Sequence, residues 1–256
     1  MIDPLYAASG FVVGMLIGMT GVGGGSLMTP LLILLFGIPP AAAVGTDLLF
    51  AAATKAVGTV VHARSRTVEW GIVGRMMAGS VPLAALTLMA LHELDLRAET
   101  ASRVITPVLA VATLSTAVLL LAQDWLAARV ATADGAPLTE RPALTTLAGA
   151  VLGVLVPVSS VGAGALGVPA LVLLYPRLPL ARIVGSDIAH AIPLTLVSGL
   201  AYWVMGAVNW GLLGALLCGS VPGIVLGSLL STRVPRRVLR SVLAAVLALA
   251  SIKLLV

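Results

Sequence analysis

The chain has 256 residues, of which 59% are hydrophobic and 10% are charged, and its formal net charge is +5. Because a soluble domain carries about 25% charged residues, this composition excludes a soluble protein and indicates an integral membrane protein. The basic residues lie in short loops between apolar runs, which is typical of cytoplasmic loops and does not indicate a nucleic-acid-binding surface. A single cysteine, Cys218, excludes an intrachain disulfide.

Eight apolar stretches follow one another along the chain, which is long enough for roughly eight or nine crossings of about 20 residues each. The first residues, MIDPLYAASG, lack a basic segment and a cleavage site, so they predict a retained first helix. Two stretches, 5–36 and 143–176, are too long for one crossing, and each is interrupted by glycine and serine. The remaining six have the length of single crossings: 40–61, 70–91, 104–122, 183–203, 209–231 and 238–255.

The second half of the chain repeats the first. Three short motifs recur at an offset of 140 residues, and earlier in the chain Pro169 pairs with Pro30 at an offset of 139. We therefore predict a tandem duplication, with a first membrane repeat over 1–122, a cytoplasmic linker over 123–142 and a second repeat over 143–256. The motif pairs are GTD at 45–47 with GSD at 185–187, VEWG at 68–71 with VNWG at 208–211, and GSVP at 79–82 with GSVP at 219–222.

The distribution of basic loops predicts how the two halves are oriented. The loop from Arg233, RVPRR, is the most basic and is expected in the cytoplasm, which places the uncharged MGAVN loop outside and Arg177 and Arg182 inside. Counting back, the loop with Arg64 and Arg66 is also inside, although its repeat partner is outside. We therefore predict an all-α integral membrane protein with an inverted tandem repeat. Each half is a broken-helix hairpin plus three transmembrane helices, and both termini are external.

The segment GMTGVGGGSLMTP at 18–30 places weak helix formers inside an apolar run, and SSVGAGA at 159–165 does so in the second half. Backbone that leaves the helix at membrane depth must be buried in protein or line a wet cavity, and the N-terminus of the next helix favours an anion. The alternative is close helix packing through small residues. The predicted substrate-binding residues are Thr20, Gly21, Gly23, Gly24, Gly25, Ser26, Thr46, Ser159, Ser160, Gly162, Gly164 and Ser186.

Four ionisable residues within apolar stretches are candidates for coupling transport to an ion. Asp47 and Asp187 occupy equivalent positions in the two halves, and each is either a coupling carboxylate or a helix N-cap. His190, three residues after Asp187, replaces Phe50 of the first half and is either a proton relay or a histidine bonded to a hydroxyl. Lys55 is expected to pair with Asp47, to attract an anion or to extend to the interface.

The motifs GVGGGSLMTPLL at 21–32, PPAAAVGT at 39–46 and HARSRTVEWG at 62–71 resemble those of the TauE/SafE family of sulfite exporters, also called the toluenesulfonate uptake permease family. The second copy, GAGALGVPAL at 162–171, resembles the C-terminal half of that family. The resemblance implies a transporter of small sulfur oxyanions and sulfonates that is coupled to an ion gradient. The matching motif positions are Gly21, Gly23, Gly24, Gly25, Pro30, Gly45 and Thr46.

We therefore expect a secondary active transporter of a small anion, bound at the membrane midplane between the two Gly/Ser-rich tips. The alternatives are a passive anion channel and a metal-cation transporter that uses Asp47 and Asp187; an enzyme is not expected, since no catalytic constellation stands out. No cofactor or resident metal is expected. The expected partners are the small anion, the lipid bilayer and, as one oligomeric option, a second copy in a homodimer, with no nucleic acid. The expected location is the cell inner (plasma) membrane, with multiple passes.

Overall fold

The structure is a computed structural model that describes residues 4–20, 25–64, 68–93, 99–131, 142–162, 164–230 and 236–255. Within these ranges the protein is all-α, as predicted. The helices are α1 (Pro4–Thr20), α2 (Gly25–Phe36), α3 (Pro40–Arg64), α4 (Trp70–Glu93), α5 (Glu99–Ala131), α6 (Pro142–Ser159), α7 (Gly167–Leu174), α8 (Leu180–Val204), α9 (Trp210–Leu230) and α10 (Arg236–Leu255).

The second overlong apolar stretch is interrupted at its Gly- and Ser-rich segment, whereas residues 21–24 of the first lie outside the described residues. In the first half α1 ends at Thr20 and α2 begins at Gly25, and in the second half α6 ends at Ser159 and α7 begins at Gly167. The arms are unequal, because the 18 residues of α6 rise about 27 Å whereas the eight residues of α7 rise about 12 Å. The structure therefore pairs a long arm with a short one in this hairpin, where the sequence predicts two arms ending midway.

Among the described residues, six helices are long and apolar enough to cross a membrane, which makes the protein a multi-pass membrane protein: α4, α5 over Ala101–Ala122, α6, α8, α9 over Trp210–Gly227 and α10 over Val238–Leu255. The helix α5 continues to Ala131 and so includes the first part of the predicted linker, while 132–141 lie outside the described residues. The division into repeats at 122 and 143 stays a prediction.

The first helix of each half packs against the fourth helix of the other half. Gly10 and Gly14 of α1 lie directly on the backbone of α9, and Gly149 and Gly153 of α6 lie on the backbone of α4 at the repeat-related level. A Cβ atom at any of these glycines would overlap a backbone carbonyl of the facing helix. Small residues thus allow the two matched helix pairs to approach closely, so the small-residue packing considered for the broken segments is found here.

The third helices of the two halves, α3 and α8, pack against each other and run in opposite directions. Gly45 near the start of α3 contacts Tyr202 near the end of α8, whereas Leu49, further along α3, contacts Gly199, which precedes Tyr202 on α8. Opposite directions for equivalent helices are what an inverted repeat requires. The orientation of the halves relative to the bilayer stays a prediction.

Two hydrogen bonds at repeat-related positions connect the halves. The amide of Asn209 donates to the hydroxyl of Thr46 over 3.1 Å, and the amide of Glu69 donates to the hydroxyl of Ser186 over 2.8 Å. Both donors stand immediately before a helix begins, at Trp210 and Trp70. The start of α3 is thereby bound to the start of α9, and the start of α8 to the start of α4.

The apolar core also combines residues from the two halves. One buried cluster contains Met76 of α4 together with Leu152 of α6 and Leu171 of α7, and the other contains Leu216 of α9 together with Val13 of α1 and Leu32 of α2. Each hairpin therefore completes its core with a helix of the opposite half. This interlocking positions the second break beside α3 and α8, where the ionisable residues lie.

Candidate functional site

The second hairpin leaves the helix through three residues with left-handed backbone. Ser160 has φ +57°, Gly162 has φ +126° and Gly164 has φ +99°, conformations that glycine adopts without strain and serine adopts rarely. The hydroxyl of Ser159 accepts a hydrogen bond from the amide of Val161 over 3.2 Å and donates to the carbonyl of Leu155 over 2.7 Å. Local bonds therefore hold the chain open at this tip.

The start of α7 differs from the predicted row of free amide groups. The amides of Leu166 and Gly167 both donate to the carbonyl of Gly162, over 3.0 and 3.1 Å. Pro169, two residues into the helix, has no amide hydrogen. The turn formed by 164–166 thus gives a partner to backbone amides that the sequence predicted to bind an anion. The N-terminus of α7 therefore has fewer free amide donors for a ligand.

Asp47 lies inside α3, fully buried, next to the second hairpin. Its Oδ2 accepts a hydrogen bond from the hydroxyl of Thr29 on α2 over 2.5 Å. The hydroxyl of Ser160 faces the same carboxylate without reaching hydrogen-bond geometry, and Oδ1 has no partner among the described residues. The tip of the second half therefore meets the aspartate of the first half.

Asp187 occupies the equivalent place on α8 and is also fully buried. It lies against Gly167, because a Cβ atom built on that glycine would overlap the carboxylate. Neither oxygen of Asp187 has a hydrogen-bond partner in the described part of the chain. Both aspartates lie seven residues after the first residue of their helix, so the N-cap alternative is wrong for each.

Lys55 and His190 complete a cluster of ionisable side chains. Lys55 on α3 is 8% exposed, and it interacts electrostatically with both aspartates, so it lies in the bundle and does not extend to the interface. The Nε2 atom of His190 lies 2.8 Å from the hydroxyl of Ser80 on α4, while its Nδ1 atom has no partner among the described residues. The structure thus brings together the four residues predicted to couple an ion.

Buried polar atoms without partners are concentrated on these elements. Leaving such a group unsatisfied costs about 1–3 kcal/mol, so a set of them at one place indicates a site for a ligand or water. Within the described ranges, those of Asp47, Ser160, Asp187 and His190 lie near the second break or Lys55, whereas those of Ser198 and Tyr202 lie further along α8, about 16 and 22 Å from Asp187. Ser198 and Tyr202 were not predicted from the sequence. Their spacing of four residues places both on one face of the helix that carries Asp187, which could have indicated a polar face.

The other predicted site residues are distributed as follows. Ser26 is buried near the start of α2, and Thr46 and Ser186 use their hydroxyls in the hydrogen bonds between the halves. Thr20 and Gly25 are the terminal residues of α1 and α2, while Gly21, Gly23 and Gly24 lie outside the described residues. In the part of the chain that the structure describes, no group of three His, Cys, Asp or Glu side chains is placed to hold a metal ion.

The interrupted apolar helices and the buried polar cluster are features of a membrane transporter, and the comparisons with known proteins agree. The sequence profile of the family described as "Sulfite exporter TauE/SafE" matches residues 6–254. The chain belongs to this family, so the resemblance predicted from its motifs is confirmed.

Two relatives carry transporter names. The chain is 36% identical over 217 residues to "Probable membrane transporter protein YjnA" of Bacillus subtilis (strain 168), a match that covers 84% of this chain and 85% of the relative. It is 46% identical over 63 residues to "Probable membrane transporter protein YunE" of the same organism, covering 25% of this chain and 23% of the relative. No solved structure matches the chain significantly.

Proposed function

We propose that the protein is a secondary active transporter of a small anion, a sulfur oxyanion such as sulfite or an organosulfonate such as sulfoacetate. The anion binds between the Gly/Ser-rich tips of the two hairpins, and its movement is coupled to an ion gradient. The observation that carries the proposal is the set of unpartnered buried polar atoms where the second break meets α3 and α8. Water-free burial of so many polar atoms is unfavourable in a membrane protein unless a ligand or solvent satisfies them.

The chemistry of the break favours an anion as that ligand. Lys55 supplies a buried positive charge, and the opened backbone near Ser160 offers hydroxyl and amide donors without bulky side chains. Two carboxylates, one facing Ser160 and the other lying against Gly167, oppose an anion near the break, and the charge of Lys55 balances one of them. The remaining negative charge must be neutralised for the anion to bind, which is a physical reason for coupling to a cation or a proton.

The packing of the halves supports alternating access. Each hairpin is joined to the opposite half through α4 or α9, and α3 and α8 meet in opposite directions at the centre. Two halves of related sequence can each adopt the conformation of the other. Such an exchange opens the site first to one side of the membrane and then to the other. We further propose a plasma-membrane location with both termini external, and a homodimer as the assembly.

The proposal is tested with the purified full chain in proteoliposomes. Labelled sulfite and labelled sulfoacetate are offered under an inward proton gradient and without one, and we expect concentrative uptake of at least one of them. Gly162→Ala is expected to reduce uptake severalfold, because a side chain is strained at φ +126°. The matched control is Gly214→Ala, where a Cβ meets open space.

Other results would replace this function by an alternative. Uptake that never exceeds the external concentration would identify a passive anion channel. Binding of a divalent cation such as Zn²⁺, with no competition by either anion, would favour the metal-cation transporter.

A further inference from the structure

The ionisable cluster contains more negative than positive residues. Asp47 and Asp187 are fully buried, and Lys55 is the basic residue that acts on both of them. Lys55 also acts electrostatically on His190 of α8, so a second positive charge on the ring of His190 would be unfavourable. Because the cluster holds one ammonium group and two carboxylates, it becomes neutral overall only when one aspartate binds a proton or another cation.

The surroundings of the two aspartates differ, and the difference decides which of them is left uncompensated. Asp47 accepts the hydroxyl of Thr29 and faces that of Ser160. In the alignment of the repeats, which pairs Pro30 with Pro169, Val168 replaces Thr29 and provides no hydroxyl. Asp187 accordingly has no donor among the described residues, so its carboxylate is the one of the two that no hydrogen bond holds in place.

The groups around Asp187 can be named element by element. The helix α8 packs against α3, α4, α6 and α7. Lys55 on α3 is the charged residue that acts on Asp187, and neither α6 nor α7 contains an ionisable residue. On α4, the hydroxyl of Ser80 lies beside His190, and the helix also carries the ionisable residues Arg75, His92 and Glu93.

The position of Asp187 relates it directly to the proposed anion. The carboxylate lies against Gly167, where α7 begins after the second break, so an anion entering the tip approaches this group. An ionised Asp187 repels the anion in a medium of low polarity, whereas a protonated one does not and can donate a hydrogen bond. Binding of a proton at Asp187 and binding of the anion therefore favour each other.

Resting on the proposed function, we infer that Asp187 takes up the coupling proton and that its protonated form admits the anion, so proton and anion are carried together in one direction. The proton binds a carboxylate oxygen of Asp187 from the side where the site is open and leaves the same oxygen after the anion has departed on the other side. Asp47 accepts the hydrogen bond from Thr29 and has a structural role. The two equivalent aspartates have thus diverged in function.

The first test measures the steady-state accumulation of labelled sulfite and sulfoacetate in proteoliposomes. For a monoanion carried with one proton, the wild type is expected to accumulate about tenfold per unit of pH gradient. Asp187→Asn is expected to reduce this ratio to one, and any exchange that remains should not depend on pH. Asp47→Asn is the matched comparison: its accumulation ratio is expected to persist even if its rate falls, because the ratio is set by the gradient.

A second measurement uses the wild type alone, so it does not depend on a variant that folds. Calorimetric titration with sulfoacetate, which unlike sulfite does not ionise near neutral pH, in two buffers of different ionisation enthalpy gives the protons bound per anion, and about one is expected. A value of zero, or accumulation by Asp187→Asn equal to that of the wild type, would overturn the inference and leave the anion transporter intact. If the wild type neither binds nor accumulates either anion, the proposed function fails and the inference fails with it.

Discussion

At the scale of single residues, the two halves differ at two positions near the ionisable residues. His190 stands where the first half has Phe50, and Val168 stands where it has Thr29. Phe50 is buried in an apolar cluster, whereas His190 uses one ring nitrogen for Ser80 and leaves the other without a partner in the described chain. The two predicted repeats therefore share motifs such as GSVP but carry unequal polar residues at these positions.

The hydrogen bond from Thr29 to Asp47 is expected to stabilise the folded bundle. Thr29→Val keeps the shape of the side chain but removes the donor, so a buried carboxylate loses a bond worth about 1–3 kcal/mol. We expect a lower thermal unfolding midpoint in detergent. The control is Thr87→Val, since that hydroxyl donates only to the carbonyl of Leu83 in its own helix; equal midpoints for the two variants would show that the bond contributes nothing.

Sequence alone could identify Asp47, Asp187, His190 and Lys55, because ionisable residues are rare in apolar stretches. It could not identify Ser198 and Tyr202, or the partnership of Thr29 with Asp47. A helix surrounded by lipid and protein is apolar on every side, so its pattern does not reveal which face points inward. Those residues became visible only when the packing of α8 against α3 was known.

At the scale of helices, the close approach of α1 to α9 and of α6 to α4 depends on the absence of side chains. We expect Gly219→Ala and Gly79→Ala each to destabilise the protein by about 1–3 kcal/mol, because the new Cβ would overlap the carbonyl of Ala7 or of Thr146. Gly74→Ala and Gly214→Ala lie on the same two helices and meet open space, so they serve as controls. Thermal midpoints in detergent measure the effect, and four equal midpoints would contradict it.

One ion pair links the beginnings of two helices across the halves. Arg182 near the start of α8 binds Glu69, which precedes α4, and Ala42 and Asn209 occupy the equivalent positions, where no such pair can form. An exposed pair contributes about 0–1 kcal/mol, so Glu69→Gln should barely alter the thermal midpoint. If α4 and α8 separate here during transport, the variant should raise the anion exchange rate about two- to fivefold.

A charge swap distinguishes this pair from an incidental contact. The double variant with Glu69→Arg and Arg182→Glu restores opposite charges and is expected to return the exchange rate to that of the wild type. A double variant that behaves no differently from Glu69→Gln would show that the pair does not hold the two helices together.

At the scale of the whole molecule, the inverted orientation predicted from basic loops can be examined at two equivalent prolines. Pro39 precedes α3 and Pro179 precedes α8, and both are exposed. In a Cys218→Ser background, which removes the exposed native thiol, Pro39→Cys is expected to react in intact cells with a maleimide that does not cross membranes. Pro179→Cys should react only after permeabilisation; reaction of both or neither in intact cells would indicate parallel halves.

The helical fold and the position of the second break could be predicted from the sequence, whereas the duplication, which repeated motifs such as GSVP indicate, stays a prediction. The unequal arms of the second hairpin and the bonded amides before α7 could not. They depend on where Ser160 leaves the helix and on how 162–166 turn back, which is local geometry settled by packing. The composition of such a segment predicts only that its backbone is irregular, not which conformation it adopts.

The pairing of α1 with α9 has a consequence for biogenesis. The facing residues Ala7 and Gly219 are separated by about 210 positions, so at ribosomal speeds of roughly 5–20 residues per second α1 waits about ten to forty seconds for its partner to be synthesised. During that interval its glycine stripe faces lipid or the insertion machinery. Newly made chains should therefore be most vulnerable to quality-control proteases before α9 has emerged, and a truncated polypeptide ending in α8 should be degraded rapidly in the cell.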